Sequence, residues 1–280
     1  MAAFVFPSRP NDGGNQPPVN ARIDRQSPQA VGLEACYPLS TQAYYTDLVK
    51  HNNLSFDDDN TSSGFRQGYD GIYGRGYFND GTSGLQAPCA GWTSIFSNAG
   101  APLSFTARAR PDVVDSANHY VVTAGASVAN NCPLMILNSS NKWRMGFFGL
   151  SNADTAASAV AGTPVSLAGT YDGTSVRIYV DGLLKTTQAT AAGNVAGGGV
   201  VLMSIGEAPY DATHNNFNGF ISDVRVYGRC LSDTDVHAIF DPSSRWDLYY
   251  QARTWSLFDL GATSSFSAAR ARYYPQLGVA

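Results

Sequence analysis

The most regular pattern of hydrophobic and polar positions lies in residues 165–187, VSLAGTYDGTSVRIYVDGLLKTT. Val176, Ile178 and Val180 alternate with polar or aromatic neighbours, and alternate side chains leave opposite faces of a strand. The dipeptides Asp172-Gly173 and Asp181-Gly182 flank this run. Asp-Gly accepts positive φ in tight primed hairpin turns. The stretch therefore predicts three antiparallel strands with one buried face, joined by two tight turns.

Other apolar runs bounded by Gly, Pro and Asn predict further strands. They cover residues 31–40, 102–111, 119–125, 133–149, 197–209 and 220–228, with a hairpin turn at 138–141. In the last run Ile221 and Val224 lie three positions apart, whereas Val224 and Val226 lie two apart. This break in period predicts a β-bulge near Ser222 and Asp223. Residues 46–84 form a long polar tract with few candidates for the core.

One segment carries a clear helix signal, residues 231–242, LSDTDVHAIFDP. Ser232 is a favourable N-cap residue, Asp235 can complete a capping box, and Leu231 can pack on Val236 across the cap. Pro242 ends the helix after about two turns.

Composition agrees with an all-β, turn-rich chain. Charged residues make up 14% of the chain, and only two glutamates and three lysines occur. Glu and Lys favour helices, so their scarcity fits an all-β chain. The same scarcity is also typical of interfaces. The net charge of −4 and the lack of a basic stripe give no reason to expect nucleic acid as a partner. No segment is apolar enough to span a membrane, and the N-terminus lacks the pattern of a secretory signal.

The four cysteines form no C-x-x-C pair, which disfavours a zinc site. Without an export signal, the chain is expected to be made in a reducing cytosol with free thiols. One disulfide stays open as an alternative: Cys36 and Cys230 could approach each other if the first and last strands of the domain are neighbours.

The ends of the chain differ from the middle. Residues 1–30 are rich in Pro, Asn and Gly and read as an arm, either held against a surface or a flexible linker. Residues 243–280 are rich in aromatic side chains and Arg, a composition typical of binding hot spots. Such a tail is expected to be buried against its own domain or a partner. Its candidate docking residues are Arg245, Trp246, Tyr249, Tyr250, Trp255, Phe258, Tyr273 and Tyr274.

Two polar segments are candidate ligand sites. One is the loop near residues 210–216. Its acidic and amide groups can bond to sugar hydroxyls, and its aromatic groups can stack on sugar faces. The alternative is that this is an ordinary polar loop. Its candidate residues are Tyr210, Asp211, His214, Asn215 and Asn216. The other is Asp57, Asp58 and Asp59, whose clustered oxygens suit calcium, although the spacing is not that of an EF-hand. A solvated loop is favoured there, and no cofactor is expected apart from this calcium alternative.

Over about residues 31–242 the order of motifs resembles the laminin-G-like branch of the concanavalin A-like lectin/glucanase superfamily. Family members show T-Y-D-G, then V-D-G, then N-G-x-I-x-D-V-R-I-Y-x-R-x-L-S before a short helix. The corresponding residues here are 170–173, 180–182 and 218–232. The resemblance implies a two-sheet antiparallel β-sandwich of jelly-roll type, with one short helix and extended terminal segments. The expected division is an arm at 1–30, a sandwich at 31–242 and a docking tail at 243–280.

The resemblance also bears on function. Glucanases of this superfamily carry E-x-D-x-x-E on one strand, a motif absent here, since Glu34 and Glu207 are isolated. The expectation is therefore that the chain is not an enzyme. Its tail resembles the W-x-L-[YF] tails of laminin-G-like structural proteins of tailed phages.

That likeness implies a phage capsid decoration or accessory protein. Such a protein is located in the virion, contacts the capsid shell and is oligomeric in the particle. A carbohydrate-binding tail-fibre or receptor-binding protein is the first alternative. A cellular lectin-like module that binds glycans is the second.

Overall fold

A computed structural model describes residues 22–39, 46–56, 65–70, 74–81, 84–88, 100–125, 132–191, 202–208 and 216–249. These residues form two antiparallel sheets and one helix. The strands are β1 Leu33–Tyr37, β2 Ser55–Phe56, β3 Phe65–Asp70, β4 Gly74–Asp80, β5 Leu85–Pro88, β6 Leu103–Pro111, β7 His119–Gly125, β8 Pro133–Leu137, β9 Trp143–Phe147, β10 Ala153–Asp154, β11 Val165–Tyr171, β12 Ser175–Val180, β13 Leu183–Ala189, β14 Leu202–Ile205 and β15 Asn218–Tyr227. The helix is α1, Asp233–Phe240, and Pro28–Ala30 form a 3₁₀ turn.

The two sheets form a sandwich. The first has the order β13-β12-β11-β6-β15-β4-β3, and the second has the order β10-β9-β8-β7-β14-β5-β2. Strand β15 pairs with β6 along one edge, while β4 and β1 share its other edge, β4 before the bulge and β1 after it. The predicted all-β sandwich with a short helix is confirmed.

Apolar packing lies on both faces of the first sheet. The main core lies between the sheets and includes Phe105, Met145, Ile178, Ile205 and Val226. A second cluster covers the outer face of the first sheet and joins the helix to both ends of the described chain. Its members include Ile23, Tyr179, Tyr227, Val236, Ile239, Trp246, Leu248 and Tyr249. Burial of each large apolar side chain stabilises a fold by roughly 1.5–3 kcal/mol.

The three predicted hairpin turns are present, one of them shifted by one residue. Asn138 closes the β8–β9 turn, with its N–H 2.9 Å from the Lys142 carbonyl. Asp181 and Gly182 both have positive φ, 53° and 78°, so the β12–β13 turn is primed as predicted. The tight turn between β11 and β12 is also present but lies one residue later: the Asp172 N–H donates to the Ser175 carbonyl at 3.2 Å, so residues 173 and 174 form the turn, and only Gly173 has positive φ. The Asp172 carboxylate accepts the N–H groups of residues 174 and 175 and so fixes this two-residue turn.

The predicted bulge and helix cap are confirmed. The register of β15 against β6 shifts between Ser222 and Arg225, and Asp223 has a φ of 48°. At the start of α1, Ser232 and Asp235 form the reciprocal capping box.

The polar tract at residues 46–84 contains strands that the sequence pattern did not predict. Strand β4 pairs with β15, and Tyr77 and Asn79 on it are buried. Gly76 leaves room for the Phe220 ring of the neighbouring strand, because a Cβ at residue 76 would come within 2.5 Å of that ring. The strand is defined by its partners in the sheet rather than by its own hydrophobicity.

The thiols of Cys36, Cys132 and Cys230 are free. The alternative of a Cys36–Cys230 disulfide required the first and last strands to be neighbours. Strands β1 and β15 are neighbours, but Cys36 lies opposite Arg225. The alternative of a Cys36–Cys230 disulfide is therefore wrong. Cys89 lies outside the described residues.

All described residues belong to one compact unit, which ends at Tyr250. The predicted boundaries at residues 30 and 242 stay predictions, but residues 22–30 and 243–249 pack on the sandwich. In the part of the chain that the structure describes, no helix has the length and apolarity needed to cross a membrane.

Candidate functional site

The bulge in β15 sends two charged side chains to the outer face of the first sheet. Arg225 donates from Nε and Nη2 to the two carboxylate oxygens of Asp223, at 3.0 and 2.9 Å. Both residues are at most 4% exposed. Burial acts to raise the pKa of Asp223, but the charges of Arg225 and Arg108 outweigh it and hold that pKa below its ordinary value. The carboxylate is therefore ionised and shared by two guanidinium groups.

Residues from both ends of the described chain close over this pair. The remaining Arg225 donors reach the Gln29 side-chain oxygen at 2.8 Å and the Arg245 carbonyl at 3.2 Å. The Gln29 amide in turn donates to the carbonyls of Ala238 and Ser244, at 3.1 and 2.7 Å. One guanidinium thus connects the segment before β1 with the segment after α1. We call residues 22–30 and 244–249, with Arg108, Asp223 and Arg225 beneath them, the terminal junction.

Aromatic rings cover the charges of the terminal junction. The Arg108 guanidinium lies 5.0 Å from the Trp246 ring centroid, and that of Arg225 lies 5.8 Å from the Tyr249 ring. The Tyr249 hydroxyl donates to Asp223 at 3.2 Å. Cation–π contacts of this kind strengthen when they are removed from water.

Three predicted docking residues therefore lie in the described domain. Trp246 and Tyr249 are buried against their own sheet, and Arg245 is half-buried over the Trp246 ring. The first two offer no exposed surface to a partner. The others, Tyr250, Trp255, Phe258, Tyr273 and Tyr274, lie outside the described residues.

The two ends of the described chain are also joined through their backbones. Ile23 and Tyr249 form an antiparallel bridge, and the Asp24 N–H donates to the Leu248 carbonyl at 2.8 Å. The chain therefore enters and leaves the described domain at one place.

A buried thiol lies beside the terminal junction. Cys36 Sγ is 3.4 Å from the Tyr249 hydroxyl oxygen. Burial raises the pKa of Cys36 to about 12. Because the thiolate is the reactive form, this position is a packing site rather than a nucleophile.

A second polar cluster, the rim site of Asp115, His119 and Asn216, lies at the start of β7. His119 Nδ1 is 2.9 Å from the Asn216 carbonyl oxygen, and its Nε2 is 2.7 Å from Asp115 Oδ1. The hydrogen bond from His119 lowers the pKa of Asp115. Asn216 is the last residue of the predicted ligand loop, and the structure brings it to β7. Tyr210, Asp211, His214 and Asn215 lie outside the described residues.

Neighbouring amides extend the rim site to the β8–β9 turn. The Asn118 side chain accepts the Ser139 N–H at 3.0 Å, and the Asn141 side chain accepts the Ser116 N–H at 2.9 Å. Side-chain amides and a carboxylate at the edge of a sandwich can make directional hydrogen bonds to hydroxyl groups.

The two glutamates lie in different parts of the sandwich. Glu34 pairs with Lys50, and the buried Glu207 follows a strand of the other sheet. The pKa is lowered in Asp115, Asp172, Asp223, Asp235 and Asp241, to about 2 in Asp172 and Asp235. A glycosidase acid needs a raised pKa.

The described residues also include an open groove of about 570 Å³ beside the start of α1. In it Asp172 pairs with Arg177 at 2.7 Å, and the Tyr179 hydroxyl donates to Asp233 at 2.7 Å.

For metals, no three His, Cys, Asp or Glu side chains among the described residues are placed to hold an ion. The calcium candidates Asp57, Asp58 and Asp59 lie outside those residues.

Comparison with known proteins identifies the family. A laminin G model of the concanavalin A-like lectin/glucanases superfamily matches residues 79–237. Since this is more than half of the chain, the chain belongs to that superfamily. No curated protein matches it in sequence.

Solved structures share the fold at low identity. Domain 4 of AbnA, a GH43 extracellular arabinanase from Geobacillus stearothermophilus in complex with arabinotriose, superposes with a TM-score of 0.57. It is 18% identical, and the match covers 75% of this chain and 98% of that domain. Trypanosoma rangeli sialidase in complex with the inhibitor DANA gives a TM-score of 0.53 at 14% identity, over 85% of this chain and 35% of the sialidase. The chain thus spans about a third of the sialidase's length.

Sequence reasoning found some of these groups and missed others. Asp223 and Arg225 stand in the D-V-R-I-Y family motif, and the broken period marked their bulge. Arg108 and Gln29 carry no local signal, because each acts through a residue more than 100 positions away. His119 and Asp115 were missed because the Asn216 carbonyl, which His119 contacts, lies 97 positions away in the sequence.

Proposed function

We propose that the protein is a non-enzymatic structural component of a phage particle, a capsid decoration or accessory protein that displays a lectin-like sandwich. The observation that carries the proposal is the terminal junction. Ile23 and Tyr249 are paired, so the segments before and after the described domain attach at one place. If both segments attach to the particle, they hold the domain on the particle at one place.

The path of β15 supports the proposal that attachment to the particle and display of the rim site use different parts of the domain. The terminal junction includes Arg225, in the second half of β15, whereas the rim site includes Asn216, just before the start of β15. At about 3.3 Å per residue, these positions lie roughly 25–30 Å apart. A partner bound at one need not cover the other.

The charges support a non-enzymatic role and a protein partner. The lowered carboxyl pKa values suit ion pairs rather than proton donation to a leaving group. The formal net charge of −4 favours protein over nucleic acid. The partners proposed here are the capsid shell and further copies of the chain on it.

Co-sedimentation with purified particles tests the attachment. The full chain and a chain ending at Tyr250 are compared, because the second keeps the terminal junction. We expect both to fold, as judged by circular dichroism, and only the full chain to sediment with particles. Equal sedimentation of the two chains would contradict attachment through residues 251–280.

Carbohydrate binding is the second candidate, as a tail-fibre or receptor-binding protein or as a cellular lectin-like module. It is favoured by the rim site, where carboxylate and amide groups meet next to the predicted ligand loop. Domain 4 of AbnA, which shares the fold, was solved in complex with arabinotriose.

A glycan array tests this second function. The variants are Tyr210→Ala and Asp211→Ala in the predicted ligand loop, with Gln188→Ala on exposed strand β13 as the matched control. Carbohydrate binding predicts that the loop variants lose signal and the control keeps it. If the unaltered chain binds no glycan, or if all variants bind equally, this function is excluded for the loop.

A further inference from the structure

Strand β13 lies at the edge of the first sheet. Among the strands that the structure describes, it is hydrogen-bonded to β12 alone. All of its residues except Thr186 are exposed, and Leu183 and Leu184 are exposed by 59% and 44%. An exposed edge presents backbone donors and acceptors to which another strand can pair.

The hydrogen bonds at the end of β13 show which of its backbone groups point away from the sheet. Just beyond the two strands, the Thr190 N–H donates to the Thr174 carbonyl at 2.9 Å. Hydrogen-bonded and non-hydrogen-bonded pairs alternate along an antiparallel ladder. Gln188, two residues before Thr190, therefore bonds to β12, whereas the N–H and C=O groups of Thr187 and Ala189 point outward.

Two side-chain contacts support an edge that is ordered but not paired. The Ala189 carbonyl accepts a hydrogen bond at 3.0 Å from the side chain of Gln188, its own neighbour, which a pairing strand could replace. On the other side, Thr186 Oγ1 donates to the Asp154 carbonyl of β10 at 2.6 Å and so fastens β13 to the second sheet. A segment that is already ordered loses little conformational freedom on binding.

The sequence of β13 suits pairing with a second copy of itself. Leu183–Ala189 contains no proline and no acidic residue, and Lys185 is its one charged residue. A two-fold axis places the same strand of two copies antiparallel. With the axis at Thr187, the outward groups of this residue bond to those of Thr187 in the second copy. Lys185 then lies opposite the uncharged Ala189 of the second copy.

Lys185 also disfavours another register. An axis at Lys185 would set two ammonium groups directly opposite each other, which is destabilising. The bulge in the β12–β13 pairing lies beside this lysine, between Ile178 and Tyr179 on β12. A lysine and a bulge are devices that protect a sheet edge, and here both lie in the first half of β13. The second half, residues 186–189, stays regular and open to pairing.

We propose that β13 is a self-association edge, at which two copies of the chain pair antiparallel about Thr187 and join their first sheets into one. The strand has seven residues, whereas each side of a stable interface has about 20–30. The dimer is therefore expected to form at high protein concentration and to separate on dilution. The pairing does not depend on attachment to a particle.

Amide exchange on the full chain tests the edge. The outward N–H groups of Thr187 and Ala189 are compared with those of Thr186 and Gln188, which bond to β12. Each is measured at the highest soluble concentration and after dilution by about a factor of 100. Protection of the outward amides is expected to fall by up to about tenfold, because mass action raises the monomer fraction with the square root of the dilution. The other two amides should keep their protection.

The decisive variant is Thr187→Pro. It removes one outward N–H and leaves the hydrogen bonds to β12 in place, and an edge strand tolerates proline at such a position. Analytical ultracentrifugation should show a monomer–dimer equilibrium for the unaltered chain and a monomer for this variant, with folding checked by circular dichroism. Thr187→Ala keeps the N–H and is the matched control, which should dimerise like the unaltered chain.

Thr187→Cys gives a test that does not depend on proline. The Cα atoms of a hydrogen-bonded antiparallel pair lie about 5.5 Å apart, within the range of a disulfide. Mild oxidation should therefore join two chains through residue 187, as identified by peptide mass spectrometry. Ser158→Cys, on an exposed loop, is the matched control and should not form the corresponding link.

Four results would overturn the proposal. A monomer at every concentration, with unprotected Thr187 and Ala189 amides, would leave the edge to a strand of another protein. Protection of these amides in a monomer would show that another part of the same chain covers them. A dimer that persists in folded Thr187→Pro would place the contact elsewhere, as would the absence of a disulfide in Thr187→Cys.

Discussion

Arg225 and Asp223 are two residues apart on one strand, and the bulge between them turns both side chains to the same buried face. Their two hydrogen bonds, 3.0 and 2.9 Å long, form the centre of the terminal junction. Gln29 reaches this centre from one end of the described chain and Tyr249 from the other. A local irregularity in β15 thus determines where the ends of the domain meet.

Replacement of the shared carboxylate should destabilise the domain strongly. Asp223→Ala leaves Arg225 buried without its main partner and weakens the Arg108 contact at 3.9 Å. Removal of one member of a buried ion pair costs about 3–5 kcal/mol in the free energy of unfolding. Urea unfolding measures the effect.

Asp112→Ala is the control for that experiment. It removes the partner of Arg110 in a partly exposed pair and should cost less than about 1 kcal/mol. Equal losses in the two variants would show that the Asp223 network has no special role in stability.

The exact point of C-terminal truncation should decide whether the domain stays folded. A chain ending at Pro242 lacks Trp246, Leu248 and Tyr249, which are buried in the outer cluster. Loss of a single buried Trp costs about 3–5 kcal/mol, a large share of the roughly 5–15 kcal/mol of a typical domain. We expect this chain to melt far below one that ends at Tyr250, as followed by circular dichroism. The same melting temperature for both would contradict the packing of residues 243–249.

The helix cap should fail only in strong acid. The hydrogen bond with Arg229 lowers the pKa of Asp235 to about 2, against an ordinary value near 3.8. Because the folded-state pKa is depressed, the stabilisation is full above the ordinary value and is lost as pH falls towards about 2. Asp235→Asn should therefore be less stable than the unaltered chain at neutral pH, with the difference shrinking below about pH 4.

Unfolding curves measured over this range check the prediction. A difference between the two chains that does not change with pH would exclude the ionised carboxylate as its source.

Thiol labelling should separate the cysteines by burial. Cys36 is buried with a pKa raised to about 12, so iodoacetamide should leave it unlabelled in the folded chain. Cys132 is also buried, whereas Cys230 is half-buried and should react first. Peptide mass spectrometry before and after unfolding gives the labelled sites. A Cys36–Cys230 disulfide peptide from the unreduced protein would contradict the free thiols.

The parts of the fold that sequence could predict are those with a local cause. Residues 165–187 alternate with a period of two, Ser232 and Asp235 form a cap three positions apart, and the spacing after Ile221 marks the bulge. Each signal lies within one element. The turn after β11 lies one residue later than the Asp-Gly dipeptide indicated, because the Asp172 carboxylate accepts the N–H groups of residues 174 and 175 and places Asp172 before the turn.

The remaining features depend on contacts between distant positions. Strand β4 is rich in Gly and polar residues, and its burial follows from pairing with β15 and from the space that Gly76 leaves for Phe220. The contact between Gln29 and Arg225 joins residues 196 positions apart, and that between His119 and Asn216 joins residues 97 apart. No periodicity or motif in the sequence predicts such contacts between distant residues. The chemistry of single side chains was enough to name candidate residues. Only the structure shows which residues these candidates contact.

Analysis of density-purified phage particles tests the central claim most directly. The amount of this protein relative to the major shell protein is measured by mass spectrometry, for the full chain and for a chain ending at Tyr250. A virion component predicts that the full chain is present in many copies and that the shorter chain is lost from particles but remains folded in the lysate. Absence of the full chain from particles would contradict the proposal.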